Sequence, residues 1–522
     1  MKKYIYISIF ICSLIGSSCT DFLDTTPTDF LDPDVYYQTE QQLNSGLNSI
    51  YRTLPNFGLY GHRMISELGL QADEGYRYST TTGDVGHYQT SSGDANVLLF
   101  WTVLYQGIDK ANFLLDNINK PIMDSINRNQ IKGETLFLRG YFYFLLVQNY
   151  GPVPLKLESS KSLTDGYLPR SSVGDVYYQI WADLTDAERL LNPINIVGFG
   201  GRASKSAAQG MLARVALFMA GHPLQDNSKW ADAKYWSQKV INTGLHELNP
   251  NYEQIFINYA KNLYDYKESI FEVEFFGWND PPYSNAGRVG VSIGGPLWHV
   301  KQVSTYGLTS GYIYSTDWLL NSYRAGDKRR DRNISNYSFN FNTGEMYSNL
   351  TTSGYARAAR KWDRRDEPAD KRIMQNSCEN HPILRYADIL LMFAEANNEI
   401  DGNSDSTYMC LNMVRRRGMG LPINLPNASV DLLGLSKDDL RKEIQAERAR
   451  EFCYETLRKG DIVRWGIFLD RMKFADTDMQ NSSMGTNIRR AYFTNATARD
   501  TLWPIPDRER GLNPKLTQNS GW

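Results

Sequence analysis

The chain has 522 residues, of which 56 are Lys or Arg and 58 are Asp or Glu, so its formal net charge is -2. This balance excludes a dedicated nucleic-acid-binding protein, which would carry a strong excess of basic residues. Hydrophobic residues make up 42% and charged residues 22% of the chain, a composition typical of globular and not of disordered proteins. The aromatic share is 13%, with 33 Tyr and 11 Trp, and such rings suit surfaces that are apolar at one end and wet at the other.

The amino-terminal residues are typical of a secretion signal. Two lysines precede an apolar segment over residues 4–15, and small residues then lead to Cys19. Small residues directly before a cysteine resemble the lipobox of bacterial lipoproteins, in which the signal is cleaved and the cysteine is acylated. We therefore predict a lipoprotein signal peptide over residues 1–18 and lipidation of Cys19, although Gly16 replaces the usual Leu. An ordinary secretion signal with another cleavage position is the alternative.

The segment after the signal changes character twice. Residues 19–38 are polar and contain two prolines, which predicts an extended tether. Thr39 followed by Gln42 has the spacing of a capping box, which predicts that a helix begins there. Residues 72–96 are rich in Gly, Ser, Thr and Tyr with almost no aliphatic residues, and this pattern predicts a long loop.

Helical periodicity dominates much of the remaining chain, where apolar residues recur at i, i+3, i+4 and i+7. The predicted helices are 97–120, 125–150, 175–191, 204–220, 230–243, 384–400, 405–417 and 436–454, with a short turn around 461–465. Short connections suggest antiparallel hairpins similar to tetratricopeptide units, and an irregular helical bundle is the alternative. The predicted fold is mainly α, a single domain over 39–522 with a helical scaffold at 39–250 and 383–470.

An irregular region interrupts this scaffold. Residues 269–275 alternate as a short strand should. After them, Gly, Asn, Pro and aromatic residues follow without helical period, which predicts a loop-rich insertion at about 276–382. Binding residues concentrate in loops that a rigid scaffold positions, so we expect long loops and a few short strands to build a ligand face.

Two irregular segments, 71–93 and 277–314, have the composition of a sugar-binding surface. Sugar rings have flat apolar faces fringed by hydroxyl groups, and proteins bind them with Trp or Tyr on the face and polar groups at the rim. The predicted ligand-binding residues are Trp278, Tyr283, Trp298, Tyr76, Tyr78, Tyr88, Asn279 and Arg288. Nearby prolines stiffen the backbone around Trp278, Tyr283 and Trp298. For each ring, packing within its own loop is the alternative.

The sequence contains no convincing catalytic or metal-binding motif. The six histidines lack HxH or HExxH spacing, and neither a GxSxG elbow nor a phosphate-binding loop occurs. Asp476, Asp478 and Gln480 resemble a calcium loop only faintly, because Asn481 occupies the required Gly position. We therefore predict no catalytic residues, no cofactor and no metal.

Charged residues and cysteines suggest structural roles. Glu443, Glu447, Glu451 and Glu455 recur every four residues with arginines between them, which favours a salt-bridge ladder over a glycosidase carboxylate pair. The run 327–332 is predicted to be solvated and paired, and the arginines at 415–417 are predicted to pair with Asp388 and Glu395. The cysteines outside the signal, apart from Cys19, are predicted to be buried free thiols, with one disulfide as the alternative. These are Cys378, Cys410 and Cys453.

Several segments resemble one known family. In chain order they are CTDFLDTTP at 19–27, LFLRGYFYFLLVQNYGPVPL at 136–155, GRASKSAAQGMLARVALFMAG at 201–221, LRYADILLMFAEANNEI at 384–400, VRRRGMG at 414–420, ERAREF at 447–452, RKGDIVRWG at 458–466 and WPIPDRER at 503–510. They resemble the SusD/RagB family of Bacteroidota outer-membrane lipoproteins, in the family's order and over nearly the whole mature chain. The matched motifs belong mostly to the scaffold, so no ligand residue is carried over.

The resemblance implies an α-helical fold built on tetratricopeptide-like pairs and a protein without enzymatic activity. It also implies a lipid-anchored protein at the cell surface that captures a nutrient, usually a glycan, and caps a TonB-dependent SusC-like barrel transporter in the outer membrane. We therefore expect a glycan ligand and no nucleic-acid partner. Surface binding of peptides or of glycoprotein-derived glycans is one alternative, and a surface hydrolase is another.

Overall fold

The structure, a computed structural model, describes residues 36–69, 71–77, 85–162, 164–275, 287–297, 299–309, 311, 313–340, 342–482 and 484–522. These residues are mostly helical with a few short strands, which confirms the predicted fold class. The predicted signal peptide, Cys19 and most of the predicted tether lie outside the described residues. No helix in the described part of the chain combines the length and apolar character that crossing a bilayer requires.

The amino-terminal scaffold consists of paired helices. In chain order they are α1 Glu40–Tyr51, α2 Ala95–Asn117, α3 Ser125–Tyr150, α4 Val173–Leu190, α5 Ile194–Val197, α6 Lys205–Ala220, α7 Lys229–Asn242 and α8 Tyr252–Lys261. A π-helix at Met64–Leu68, strand β1 at Gly75–Arg77 and a 3-10 turn at Val85–His87 lie between α1 and α2. Because α2 packs against α3, α3 against α4 and α6 against α7, the predicted helical hairpins are confirmed.

Local capping explains where these helices begin. The Thr39 hydroxyl accepts a hydrogen bond from the Gln42 N–H, and the Gln42 side chain accepts one from the Thr39 N–H, so the predicted capping box is confirmed. Asp94 and Asp124 accept hydrogen bonds from the first backbone N–H groups of α2 and α3. Each cap satisfies N–H groups that have no partner inside the helix.

The insertion contains short elements joined by irregular chain. In order they are β2 Ser269–Val273, α9 Val289–Ile293, α10 Val300–Tyr306, β3 Ile313–Ser315, α11 Asp317–Ser322, α12 Lys328–Asn333, β4 Tyr337–Phe339, β5 Met346–Ser348 and β6 His381–Arg385, with 3-10 turns at Gly354–Ala356, Arg364–Asp366 and Ala369–Lys371. The strands form three antiparallel pairs, β1 with β3, β2 with β6 and β4 with β5. Since β2 and β6 pair, the insertion begins and ends at one place on the scaffold.

The carboxy-terminal scaffold completes the helical framework. Its helices are α13 Tyr386–Asp401, α14 Asp405–Gly418, α15 Lys437–Phe452, α16 Arg458–Arg464, α17 Phe468–Gln480, α18 Asn487–Thr494 and α19 Asp507–Leu512, with a 3-10 turn at Ala498–Thr501. Helix α13 packs against α7 and α6 of the first scaffold and against α14 and α15 of its own. One continuous cluster of buried apolar side chains therefore spans both scaffolds.

A buried ion network links the insertion to α15. We use this name for Arg329, Lys361, Arg385, Arg417, Glu447, Glu451 and Glu455, all of which are buried. Glu451 contacts Arg417 at 2.6 Å, Arg385 at 2.9 Å and Arg329 at 3.2 Å. Glu447 pairs with Arg329 at 2.7 Å, and Glu455 with Lys361 at 2.5 Å. The predicted ladder with arginines of the same helix holds for Glu443 and Glu447, which pair with Arg450, whereas the cations that pair with Glu451 and Glu455 come from outside α15.

Two predictions about charged residues are wrong. The run 327–332 is paired as predicted but is not a solvated stretch, because Arg329 and Arg332 are buried within the insertion. Arg417 pairs with Glu451 and not with Asp388 or Glu395, since α15 packs against both helices and supplies carboxylates of its own. The predicted buried free thiols are confirmed for Cys378, Cys410 and Cys453.

Candidate functional site

The two irregular segments predicted to bind ligand meet in the structure. Strand β1 belongs to the first segment and β3 to the second, and they pair with Tyr76 opposite Tyr314. Helix α9, also from the second segment, packs against the π-helix Met64–Leu68. Chain segments more than 200 residues apart therefore form one face.

Most of the predicted ligand residues lie outside the described residues. These are Trp278, Tyr283, Trp298, Tyr78 and Asn279. Arg288 is described, is half-buried and lies on the face formed by the two segments.

The prediction that Tyr76 and Tyr88 present ring faces to a ligand is wrong, because both side chains are buried. The Tyr76 hydroxyl donates to the carbonyl oxygen of Tyr355 at 2.7 Å. The Tyr88 hydroxyl donates to the carbonyl oxygen of Gln71 at 2.6 Å, and its ring packs against Phe468. Both rings belong to a core that the carboxy-terminal helices cover.

An exposed phenylalanine lies beside Arg288, in the loop that follows α1. The side chain of Phe57 is 46% exposed. The guanidinium carbon of Arg63 lies 5.1 Å and that of Arg288 lies 5.9 Å from the centre of the Phe57 ring. The His62 ring centre lies 4.8 Å from it. Guanidinium groups at these distances are attracted to an aromatic ring. We call Phe57, His62, Arg63, Glu67, Arg77 and Arg288 the Phe57 cluster.

The side chain of Glu67 lies on the buried side of the Phe57 cluster. Its buried carboxylate pairs with Arg63 and lies 3.5 Å from Arg77. It also accepts a hydrogen bond from the Asn96 side chain at 3.0 Å. One carboxylate thus connects the π-helix, β1 and α2, and it fixes two of the guanidinium groups in place.

The positive charge of the Phe57 cluster lies on its arginines and not on His62. Burial, together with the positive charges of Arg63, Arg288 and Arg77, lowers the pKa of His62 to about 3. The imidazole is therefore neutral at physiological pH. The cluster combines an exposed aromatic ring with cationic hydrogen-bond donors that lie over it, which is a chemistry that can hold a sugar ring and its oxygen substituents.

The sequence prediction missed Phe57, His62 and Arg63. A signal was present, because Phe57 follows the end of the apolar helical stripe and lies between Pro55 and Gly58. A large apolar residue in a Pro- and Gly-containing loop does not belong to a helix face. It was therefore a candidate for surface exposure.

The two acidic residues of the segment that faintly resembles a calcium loop form ion pairs or hydrogen bonds with other protein groups. Asp476 pairs with Arg490 at 2.8 Å. Asp478 accepts hydrogen bonds from the Tyr355 hydroxyl at 2.7 Å and from the Trp318 N–H at 3.2 Å. Over the described ranges, no group of three or more His, Cys, Asp or Glu side chains could hold a metal ion.

Two family models match the chain. The model described as "SusD family" matches residues 253–522, and the model described as "Starch-binding associating with outer membrane" matches residues 21–217. The first match alone covers more than half of the 522 residues. The chain belongs to the SusD/RagB family.

Known relatives extend this assignment over the full fold. The SusD-like protein P25 of Formosa agariphila is 25% identical over 542 aligned positions, covering 96% of this chain and 95% of the relative. The crystal structure of a SusD homologue from Bacteroides thetaiotaomicron superposes with a TM-score of 0.87 at 26% identity and covers 94% of this chain and 98% of its own. A laminarin-binding SusD-like protein shares the fold, with a TM-score of 0.72 at 22% identity and coverage of 93% and 100%.

Proposed function

We propose that this protein is a cell-surface lipoprotein that captures an oligosaccharide or polysaccharide and delivers it to a TonB-dependent SusC-like transporter. Family membership supports this proposal, as does the outer-membrane association in the description of the second family model. The laminarin-binding protein supports a glycan ligand, because it shares this fold. Tethering a binding protein beside a transporter raises the ligand concentration at the transporter's mouth.

The observation that carries the proposed ligand site is the Phe57 cluster. Its ring is exposed, and Arg63 and Arg288 lie beside it from two different chain segments. We propose that a sugar ring packs on Phe57 while the guanidinium groups donate hydrogen bonds to the ligand's oxygen atoms. The predicted ligand residues of the second segment complete this site in our proposal. They are Trp278, Tyr283, Trp298 and Asn279, together with Tyr78 from the first segment.

Calorimetric titration of chemically different polysaccharides and peptides into the purified protein tests the ligand class. We expect one class of glycan to bind and Phe57→Ala to weaken that binding at least about tenfold, since truncating a central aromatic anchor costs about 2 kcal/mol. Tyr235→Ala is the matched control, because Tyr235 is also an exposed ring but lies on α7 in the scaffold. Unfolding midpoints of both variants should stay at the wild-type value.

Three outcomes would overturn parts of this proposal. Equal affinity of the Phe57→Ala protein and the wild type would remove Phe57 from the site. Binding of peptides and of no glycan would replace the ligand class. Release of shortened glycan during incubation, followed by chromatography, would show a hydrolase instead of a binding protein.

The proposed anchor is Cys19. Stable membrane residence requires about two acyl signals, and a triacylated cysteine exceeds that number. We expect Cys19→Ala to move the protein from the outer-membrane fraction to the soluble fraction in cells that lack the transporter. Retention of the variant with outer membranes in such cells would contradict lipid anchoring through Cys19.

The proposed partner is a TonB-dependent barrel transporter. Affinity purification from freshly detergent-solubilised membranes, followed by mass spectrometry, should recover such a barrel together with this chain. Recovery of the chain alone from native membranes would contradict a stable complex.

A further inference from the structure

A cavity lies apart from the Phe57 cluster. It has a volume of about 510 Å³ and is bounded by the ends of α3 and α6, the start of α4, and residues 456–470 and 498–503. None of Phe57, His62, Arg63, Arg77 or Arg288 lines it. Small-molecule sites in proteins have volumes of about 300–1,000 Å³, so the cavity has the size of a ligand site.

The walls of this cavity are mostly apolar and aromatic. Leu68, Val147, Phe218, Phe468 and Trp503 line it, and all five side chains are buried. These residues come from five separate parts of the chain, so the cavity is a product of the tertiary fold. An apolar enclosure of this kind favours a ligand with a hydrocarbon or aromatic body over a sugar, whose hydroxyl groups would lose water without replacement.

Two cations line this cavity, and while Arg464 is paired with Glu395 and Asp461, the second cation is Lys459. The side chain is buried, and its ammonium group donates to the side-chain oxygen of Gln71 at 2.7 Å. It also lies 5.3 Å from the centre of the Trp503 ring. Among the described residues no carboxylate lies within ion-pair distance of it, whereas the buried Lys361 contacts Glu455 at 2.5 Å. Burial lowers the pKa of Lys459 to about 7, and the more distant Asp500 opposes that shift.

We propose that this cavity binds an amphipathic carboxylate, a molecule with one carboxylate group on an apolar body. The carboxylate supplies the counter-charge that Lys459 lacks, and the apolar body packs against Phe218, Leu68 and Trp503. A charge-assisted hydrogen bond against mostly apolar walls is stronger than the same bond in bulk water. Arg464, the other cation in the lining, already pairs with Glu395 and Asp461, so Lys459 is the recognition group of this site.

Calorimetry with two ligands of equal chain length tests the charge requirement. The probes are decanoate and 1-decanol, and the protein is the full chain carrying Cys19→Ala, so that no acyl anchor competes for the cavity. We expect decanoate to bind with a dissociation constant below about 1 mM and 1-decanol to bind at least about tenfold more weakly, a difference of about 1.4 kcal/mol. Undetectable binding of decanoate, or equal affinity for both probes, would overturn the proposal.

Variants then locate the bound probe. Lys459→Met keeps the apolar stem and should weaken decanoate binding at least about tenfold while leaving 1-decanol unchanged. Lys442→Met is the matched control, because Lys442 is exposed on α15 and should leave both affinities unchanged. Val463→Phe fills the cavity from α16 and should weaken both probes, which keeps the test decisive if Lys459→Met does not fold. Unchanged decanoate affinity in Lys459→Met or in Val463→Phe would place the probe elsewhere and refute the site. Phe57→Ala should leave the affinity for decanoate unchanged.

Discussion

The buried ion network and the Phe57 cluster both contain several arginines, but the groups around those arginines differ. Arg385 is buried, and its three nitrogens contact Glu268, Glu451 and Glu455 at 2.7–3.0 Å. Arg288 is half-buried beside an exposed ring and forms no ion pair with a described residue. A guanidinium group has five N–H donors. Those of Arg385 are occupied by the protein, whereas we propose that those of Arg288 bind the oxygen atoms of a ligand.

This comparison separates stability from binding. Removing one member of a buried ion pair leaves the other charge without compensation, which destabilises the fold. When a half-exposed charged side chain is removed, water takes its place. The stability of the fold then changes little, whereas a ligand that contacts that side chain loses affinity. Substitutions in the network should therefore change the free energy of unfolding, and substitutions in the Phe57 cluster should change ligand affinity.

The largest expected effect is on Glu451. Glu451→Ala leaves Arg329, Arg385 and Arg417 with one carboxylate fewer, and we expect the free energy of unfolding to fall by about 3–5 kcal/mol. Urea unfolding followed by circular dichroism measures it. The control is Glu443→Ala, because Glu443 lies at the edge of the same helix with 40% of its side chain exposed, and its loss should cost less than about 1 kcal/mol. Similar losses for both variants would refute the distinction.

The next effect is a pH dependence of stability through Asp388, which contacts Arg214 at 2.5 Å and Arg448 at 2.6 Å. Burial alone would raise its pKa, but the charges of Arg448 and Arg214 and their hydrogen bonds lower it to about 2. The unfolded value is about 3.9. A lowered folded-state pKa stabilises the protein above the unfolded pKa, and that stabilisation is lost as the pH falls toward the folded-state pKa.

Asp388→Asn should therefore reveal a stability difference that depends on pH. The carboxylate's titration contributes about 2 kcal/mol, present above about pH 4 and lost progressively toward about pH 2. The difference in unfolding free energy between wild type and Asp388→Asn should shrink by that amount over this interval. The exposed Asp470→Asn serves as the control. A difference that stays constant with pH would show that the carboxylate's charge is not the stabilising factor.

The smallest effect is expected for Arg288→Lys. Lysine keeps the positive charge but loses the planar group that lies against Phe57, so we expect glycan affinity to fall about threefold to tenfold, in line with about 1 kcal/mol for such a contact. The free energy of unfolding should change by less than about 0.5 kcal/mol. Arg189→Lys, at an exposed position of α4, is the control for titration calorimetry. A loss of stability without a loss of affinity would move Arg288 into the scaffold group.

The helical scaffold could be predicted because its signals are local. The helix predicted at 125–150 is observed with both ends unchanged, and the capping box at Thr39 forms as expected. Hydrophobic periodicity and caps act within a few residues of one another, so the sequence displays them directly.

The candidate site could be predicted only in part, because its contacts are tertiary. Nothing periodic connects Phe57 with Arg288, which meet only when α9 packs against the π-helix. Aromatic residues in polar loops suggested exposure for Tyr76 and Tyr88, but the carboxy-terminal helices cover both rings. A salt bridge of Glu451 with arginine was predicted, but its partners Arg329, Arg385 and Arg417 come from other elements, which no local pattern places against α15.

The pairing of β2 with β6 has a consequence for how this fold diversifies. Val273 lies opposite His381, so the chain leaves and re-enters the scaffold at neighbouring positions. When the ends of a loop are already held together, doubling its length costs only about 0.6 kcal/mol of closure entropy. Arg329 and Lys361 attach the later part of the insertion to the ion network, because they pair with Glu447 and Glu455. Changes of length or sequence in the earlier part, between β2 and β3, should therefore alter the proposed ligand site without disturbing the ion network.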